Sequence, residues 1–266
     1  MRHIISLLTT LIVIINLGFW VIWLALLGLL KLIFQQDPLR SWINMASELC
    51  YRGAVAVHNF WMFRIVGLRL NIQGQLPDHS SPIIISNHQT WTDIPVLHGA
   101  VTADGGPILK FLIKRELLWV PIIGWICYSL NFPRLFRGQG NDARRRDYSA
   151  IKSFSESLHS ERGALMIFSE GTRFTSEKYR NQSPPYKHLL TPRPGGLKIA
   201  LETAPKGTPV VDITIIYRGS TNFWHCIGGG TQDVDVIIRT FDSTNIGQIR
   251  TWLDTRWAEK DAYFPI

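Results

Sequence analysis

From Ile4 to Leu30 the chain carries no charged side chain. The run is longer than the ~20 apolar residues a helix needs to cross a bilayer. A secretory signal has an apolar region of only about 7–15 residues, closed by small residues at a cleavage site. Here Trp20, Trp23 and Leu24 simply continue the run. The stretch therefore reads as an uncleaved membrane helix, either spanning or buried in one leaflet. Arg2 and His3 flank one end and Lys31 and Arg40 the other, so the positive-inside rule gives only a slight bias.

Residues 39–66 read as a second helix, in which Arg40, Glu48, Arg52 and Arg64 are mixed with Trp42, Leu49, Val55, Phe60 and Trp61. That mixture suits a helix at the membrane surface, and equally a helix packed on a soluble core. Strand-like alternation begins at Arg69, which divides the chain into a membrane-associated helical region, 1–66, and an α/β domain, 67–266. Composition agrees, with 46% hydrophobic and only 18% charged residues against the usual quarter charged. The net charge of +8 suits anionic lipid or phosphate-bearing substrates. Charge alone would also suit nucleic acid. Cys50, Cys127 and Cys226 are widely separated and show no metal spacing, so they read as reduced thiols facing a cytosol.

The chemistry gathers at residues 87–93, Asn-His-Gln-Thr-Trp-Thr-Asp. The strand-like Pro82–Ser86 enters this turn and a helical pattern leaves it, which is where α/β sheets place their sites. His88 has the side-chain type that titrates nearest neutrality. Within one straight helix, five residues would turn His88 and Asp93 about 140° apart. They meet only if His88 lies in the loop and Asp93 near the helix start, as Pro95 in a first turn suggests. The plainer reading is a helix cap from Thr90, Thr92 or Asp93 and an ordinary loop histidine.

Downstream, Leu117–Phe132 has no charge but is interrupted by Pro121 and Gly124, as in a re-entrant or groove-lining segment. A basic run follows at Arg134, Arg137, Arg144, Arg145 and Arg146, and its commonest meaning is a solvated surface. Tyr148, Ile151, Phe154 and Leu158 follow helical spacing and should face the core. Ala164–Phe168 reads as a buried strand that delivers Glu170-Gly171-Thr172-Arg173 to a sheet end. Backbone N–H groups, the Thr172 hydroxyl and the Arg173 fork are phosphate binders, and Gly171 permits close approach. Residues 175–196 read as a long loop, Pro209–Ile215 and Val234–Thr240 as strands, and Ile246, Ile249, Leu253 and Trp257 as marking a C-terminal helix.

Asn87-His88, four residues, then Asp93 resembles the first motif of the glycerolipid (lysophosphatidic acid) acyltransferase superfamily. Phe168-Ser169-Glu170-Gly171-Thr172-Arg173 resembles its third, F-P-E-G-T-R, in the right order and at a fitting gap. Lys114–Trp125 resembles the stretch before the second motif. Phe132-Pro133-Arg134 resembles that motif's core, without the commoner glycine and apolar pair, which leaves Arg134 and Arg137 as alternatives. Lys187–Gly196, and an aspartate at Asp212 where the main family has a proline-containing motif, resemble a subgroup with eukaryotic members and a bacterial branch.

The resemblance implies a bacterial-type membrane O-acyltransferase that makes phosphatidic acid from lysophosphatidic acid. Its fold would be α/β, with a mixed or mostly parallel sheet flanked by helices, preceded by a membrane-embedded helix or two-helix motif. His88 and Asp93 would be catalytic. Lys114, Arg134, Arg137, Glu170, Gly171, Thr172 and Arg173 would bind substrate. No metal or cofactor is implied beyond an acyl-CoA or acyl carrier protein thioester as co-substrate. The partners would be the membrane, lysophospholipid and acyl carrier protein, with no nucleic acid. The place would be the bacterial inner membrane, catalytic domain on the cytoplasmic side. The alternatives are a different lysophospholipid acceptor, or a non-catalytic anionic-lipid-binding protein. No nucleophile elbow, Walker loop or H-E-x-x-H is present in the sequence, which discounts those chemistries.

Overall fold

The computed structural model describes residues 2–34, 36, 38–79, 81–120, 123–130, 132–135, 141–157 and 163–265. Two long helices open the chain, α1 (Arg2–Ile33) and α2 (Leu39–Phe60), the latter running on through a π turn, Trp61–Ile65. Then come β1 (Arg69–Gln73), β2 (Ile83–Ser86), the short α3 (Asp93–Leu97) with its own π turn, His98–Thr102, β3 (Leu109–Phe111) and β4 (Ile113–Lys114). They are followed by α4 (Ile123–Ser129), β5 (Arg134–Leu135), α5 (Asn141–Ser157), β6 (Ala164–Phe168), α6 (Ser176–Gln182) and α7 (Gly195–Thr203). The chain closes with β7 (Pro209–Tyr217), α8 (Phe223–Cys226), β8 (Asp233–Asp242) and α9 (Ile249–Ala262).

The main sheet has six strands in the order β1-β8-β7-β2-β6-β3. Every pairing in it is parallel except β7 with β8. Strand β2 lies at the centre and is buried on both faces, as its unbroken Ile83-Ile84-Ile85 demands. Side chains alternate across it. Ile84, Met166, Val211 and Ile213 pack with Val96, Leu97 and Val101 on one face. Ile83, Ile85, Leu165, Ile167 and Val210 pack with Ile151, Phe154, Leu197, Leu253 and Trp257 on the other. Because β2 and β6 run in parallel with Ser86 opposite Phe168, the turns that follow them emerge side by side.

Helix α1 is built inside out. Its buried residues are Ser6, Thr9, Asn16, Leu24 and Gly28, whereas Ile22 and Ile33 are 67% and 70% exposed and Leu26, Leu29 and Leu32 between them are bare. The inward polar groups are satisfied by the rest of the protein. Ser6 Oγ donates to the Trp224 carbonyl (2.8 Å), Thr9 Oγ1 to that of Ile227 (2.9 Å) and Asn16 Nδ2 to that of Ala54 (2.9 Å). Near the other end Lys31 Nζ donates to the Ser129 carbonyl (2.7 Å), and Ser129 Oγ to that of Leu24 (2.8 Å). In α2 every fourth residue, Ile43, Ser47, Tyr51 and Val55, is buried, while Trp42, Leu49 and Phe60 on its other sides are bare.

Three expectations change in detail. The stretch 175–196 is not all loop, because it holds α6. That helix is only seven residues long, too short for a periodic signal. Thr175 caps it by accepting from the Lys178 N–H, and Ser183 ends it in the left-handed region at φ 44°. Tyr148 is exposed while Ile151 and Phe154 are buried, since α5 meets the sheet only past its middle; Leu158 lies outside the described residues. The uncharged 117–132 stretch includes α4, which packs on α1 through Ser129 and Gly28.

The two opening helices pack tightly where Gly53 faces Trp20: a Cβ there would lie 2.4 Å from the indole ring. Gly53→Val should therefore pry α1 from α2 and destabilise the protein by about 1–3 kcal/mol. Thermal unfolding in detergent checks this, and an unchanged transition would refute the contact.

Candidate active site

The turn after β2 is wrapped around one carboxylate. Asp93 is completely buried, and it begins α3. Its Oδ2 accepts from His88 Nδ1 (2.7 Å), the Gln89 N–H (2.7 Å) and the Thr90 N–H (3.1 Å), while Oδ1 accepts from the Tyr217 hydroxyl (2.7 Å). These donors precede the helix or come from β7. Asp93 is thus no helix cap in the ordinary sense, and Thr92 at the N-cap position makes no side-chain cap bond. Asn87 locks the turn to the sheet, donating to the Ile215 carbonyl and accepting from the Ile215 N–H, both at 2.9 Å. Burial, reinforced by the Asp93 charge, drives the Tyr217 hydroxyl far above its ordinary value, so Tyr217 remains a donor.

With Nδ1–H committed to Asp93, the His88 ring presents Nε2 as its free base position. The ring is held from the side, stacked on Phe168 at 3.9 Å and 11°. The next turn is strapped alongside: the Ser169 N–H donates to the Ser86 carbonyl and the Phe174 N–H to the His88 carbonyl. Gly171 takes φ +69°, which a side chain adopts only with strain.

The expected substrate-binding residues divide. Arg173 extends over the Trp91 ring at 5.2 Å, and among the described residues no carboxylate pairs with it. The Thr172 hydroxyl accepts from Lys178 Nζ (2.7 Å), which also donates to the Arg173 carbonyl (3.0 Å). Glu170 points inward and is 0% exposed. At 3.4 Å it accepts the Trp257 indole N–H. Burial pushes its carboxyl up to about 8, opposed by the Trp257 bond, reinforced by the Asp93 charge and opposed again by the Lys260 charge. Lys114 and Arg134 belong to β4 and β5, which pair with each other in a separate two-stranded sheet; their side chains, and the whole of Arg137, lie outside the described residues. Among the described residues no cluster of three His, Cys, Asp or Glu could hold a metal.

Several members of the site were missed in the sequence. Tyr217, Lys178 and Trp257 carry no motif and reach the site only through the fold. Arg193 lies in the segment singled out by resemblance, but without a role. Its N–H donates to the Ser169 carbonyl (2.6 Å), and its Cδ sits 3.1 Å from where a Gly171 Cβ would be.

Two measurements test this geometry. Turnover should fall by at least ~10²-fold in His88→Ala, and the His88→Ala/Asp93→Asn double variant should be little worse than His88→Ala alone, because the pair acts as a unit. Additive losses would contradict that. Glu170 also predicts a pH effect on stability. Its folded value is about 8 against 4.5 for an ordinary glutamate, so between these values the folded state holds a proton that the unfolded state has lost. Its contribution is full below the lower value and is lost as pH rises toward the upper one. Denaturant titrations across that window should show a slope that flattens in Glu170→Gln.

Comparisons with known proteins point to one family. Residues 68–217 match the acyltransferase family model. The mouse and human proteins named 1-acyl-sn-glycerol-3-phosphate acyltransferase gamma are each 30% identical over 199 residues, 68% of this chain and 51% of theirs. The rat delta form is 29% identical over the same length. The chain thus spans about half the length of these curated relatives. The crystal structure of the 1-acyl-sn-glycerophosphate (LPA) acyltransferase PlsC from Thermotoga maritima shares the fold, with a TM-score of 0.60 at 20% identity over 98% of both chains. The matched stretch runs from just before β1 to the end of β7 and contains both motif turns, so this chain belongs to the acyltransferase family.

Proposed function

We propose that the chain is a membrane-bound O-acyltransferase that moves a fatty acyl group from a thioester to the free hydroxyl of lysophosphatidic acid, forming phosphatidic acid. The observation that carries the reading is the 2.7 Å bond from His88 Nδ1 to a buried, fourfold-bonded Asp93. His88 Nε2 takes the acceptor hydroxyl's proton as its oxygen attacks the thioester carbonyl carbon. The C–S bond then breaks, and the imidazolium returns the proton to the departing thiolate. Ester and free thiol are the products. Asp93 fixes the tautomer and stabilises the imidazolium, as the third member of a hydrolytic triad does. The acceptor supplies the nucleophile, so no acyl-enzyme is needed.

Arg173 is the phosphate ligand in this reading: a planar fork without a carboxylate partner among the described residues suits a phosphate. In this reading Lys114 and Arg134 or Arg137 are the further anion ligands that the family resemblance implies. The donor is acyl-CoA or acylated acyl carrier protein. Glu170, turned away from solvent, steadies the turn beside His88 instead of binding substrate.

The membrane reading rests on α1. A helix with small polar residues inward and leucines outward suits a lipid surround. At 32 residues it is about 48 Å long, yet it bonds to the α/β domain near both ends. That favours a helix lying in one leaflet; the family resemblance, not the helix, suggests a domain on the cytoplasmic face of a bacterial inner membrane.

Purified protein in detergent, given acyl-CoA or acyl carrier protein thioester and a panel of lysophospholipids, should release thiol and yield phosphatidic acid by mass. Product from a different lysophospholipid alone would reassign the acceptor, and no thiol release with any would sink the enzyme reading. Arg173→Lys keeps charge but loses the fork, and should raise KM for the acceptor more than for the donor. Deleting residues 1–34 should shift the protein off membranes; full-length protein recovered soluble without detergent would refute the anchor.

A further inference from the structure

The end of α9 carries a buried lysine that the mechanism so far does not use. Lys260 is 1% exposed. Its Nζ donates to the Ile213 carbonyl at 2.6 Å and pairs with Asp212 Oδ1 at 2.5 Å. Asp212 stands in β7, in register with Ile85 of β2. One turn back on α9, the Trp257 ring lies 4.9 Å from Lys260 Nζ. Its N–H in turn reaches Glu170 Oε1 at 3.4 Å. Glu170 lies in the turn that braces His88 through the Phe168 ring stack and the Phe174 N–H bond to the His88 carbonyl, and its Oε2 is buried with no hydrogen-bond partner among the described residues.

We infer that Trp257 and Lys260 are positioning residues for the catalytic histidine, acting through the Glu170 carboxyl on the turn that braces His88. The inference rests on the acyltransferase reading for its kinetic readout only. The chain of contact is continuous. Asp212 and the Ile213 carbonyl fix Lys260. Lys260 fixes one face of the indole, and the indole N–H fixes the Glu170 side chain. Glu170 then anchors the turn whose Phe168 ring stacks on the imidazole and whose Phe174 N–H binds the His88 carbonyl, while Asp93 holds the imidazole through Nδ1. A carboxyl with one unbonded oxygen in a dry pocket has few restraints on its rotation, so the single indole N–H has a large share in aiming it. Lys260 is also the cation whose charge acts on Glu170 against the like charge of Asp93. A purely structural Trp257 would need only its ring.

Trp257→Phe separates these roles, because it keeps an aromatic ring against Lys260 and deletes the N–H. Small displacements of a catalytic group slow chemistry strongly, so kcat should fall about tenfold while both KM values and the melting temperature change little. In a Glu170→Gln background the same change should have no further effect on kcat. Lys260→Met should lower kcat in the same direction. Leu253→Ala, on the same buried face of α9, should lower the melting temperature and leave kcat alone. A fourth readout needs no substrate: the His88 imidazole resonances should move in Trp257→Phe relative to wild type. If wild-type protein transfers no acyl group but those resonances move, the functional reading fails and the coupling stands. Unchanged kcat and unchanged resonances in Trp257→Phe, or losses additive with Glu170→Gln, would overturn the inference.

Discussion

One buried carboxylate organises the site. Asp93 has no contact with water, and an isolated carboxylate in that position would be strongly disfavoured. It is tolerated because four donors surround it, three from residues 88–90 and one from Tyr217. The need is mutual. The amides of Gln89 and Thr90 emerge from a finished strand with no ladder partner, and the carboxylate supplies one. The geometry that satisfies these groups also leaves His88 with one ring nitrogen committed and the other free. Burial, turn conformation and base orientation are therefore one problem with one solution.

The parallel sheet makes that solution possible. In-register pairing of β2 with β6 brings two polar turns to the same edge, although some eighty residues separate them in the chain. Phe168 at the end of β6 stacks on the imidazole, and the turn that follows sends Glu170 inward and Arg173 outward. Two positions three residues apart thus face opposite ways, a buried carboxyl toward the core and a guanidinium over the Trp91 ring. Lys178 and Arg193, from the segments that follow, brace this turn at Thr172 and Gly171.

The opening helices obey a different rule. In α1 small polar side chains face protein and large apolar ones face outward, the reverse of a helix in water. Inward Ser6, Thr9 and Asn16 would be costly in hydrocarbon, but each donates to a main-chain carbonyl of the protein. The outward leucines gain nothing from the fold and are stabilised only by an apolar surround. The same helix that suits lipid is thereby hydrogen-bonded to the domain that carries the site.

Much of this was legible from residues alone, for physical reasons. An uncharged run such as 4–30 can be little but a helix, and Ile83-Ile84-Ile85 between polar turns can be little but a central strand. The five-residue offset of His88 and Asp93 already required one to precede the helix and the other to start it. The motif turns identified the family, because they concentrate polar groups within a few consecutive positions. Long-range partnership is another matter. Tyr217 lies 124 residues from Asp93 and Trp257 lies 87 from Glu170, and nothing local distinguishes either from a core aromatic. The same holds for Lys260, whose spacing puts it on the face of Leu253 and Trp257 but does not name its partner. Glu170 and Arg173 share one motif, and only the fold shows the first fully buried and the second laid over the Trp91 ring. Local pattern determines which elements form and where polar turns fall. Which buried group faces which is decided when the sheet closes, because hydrogen bonds are made across space and leave no period in the chain.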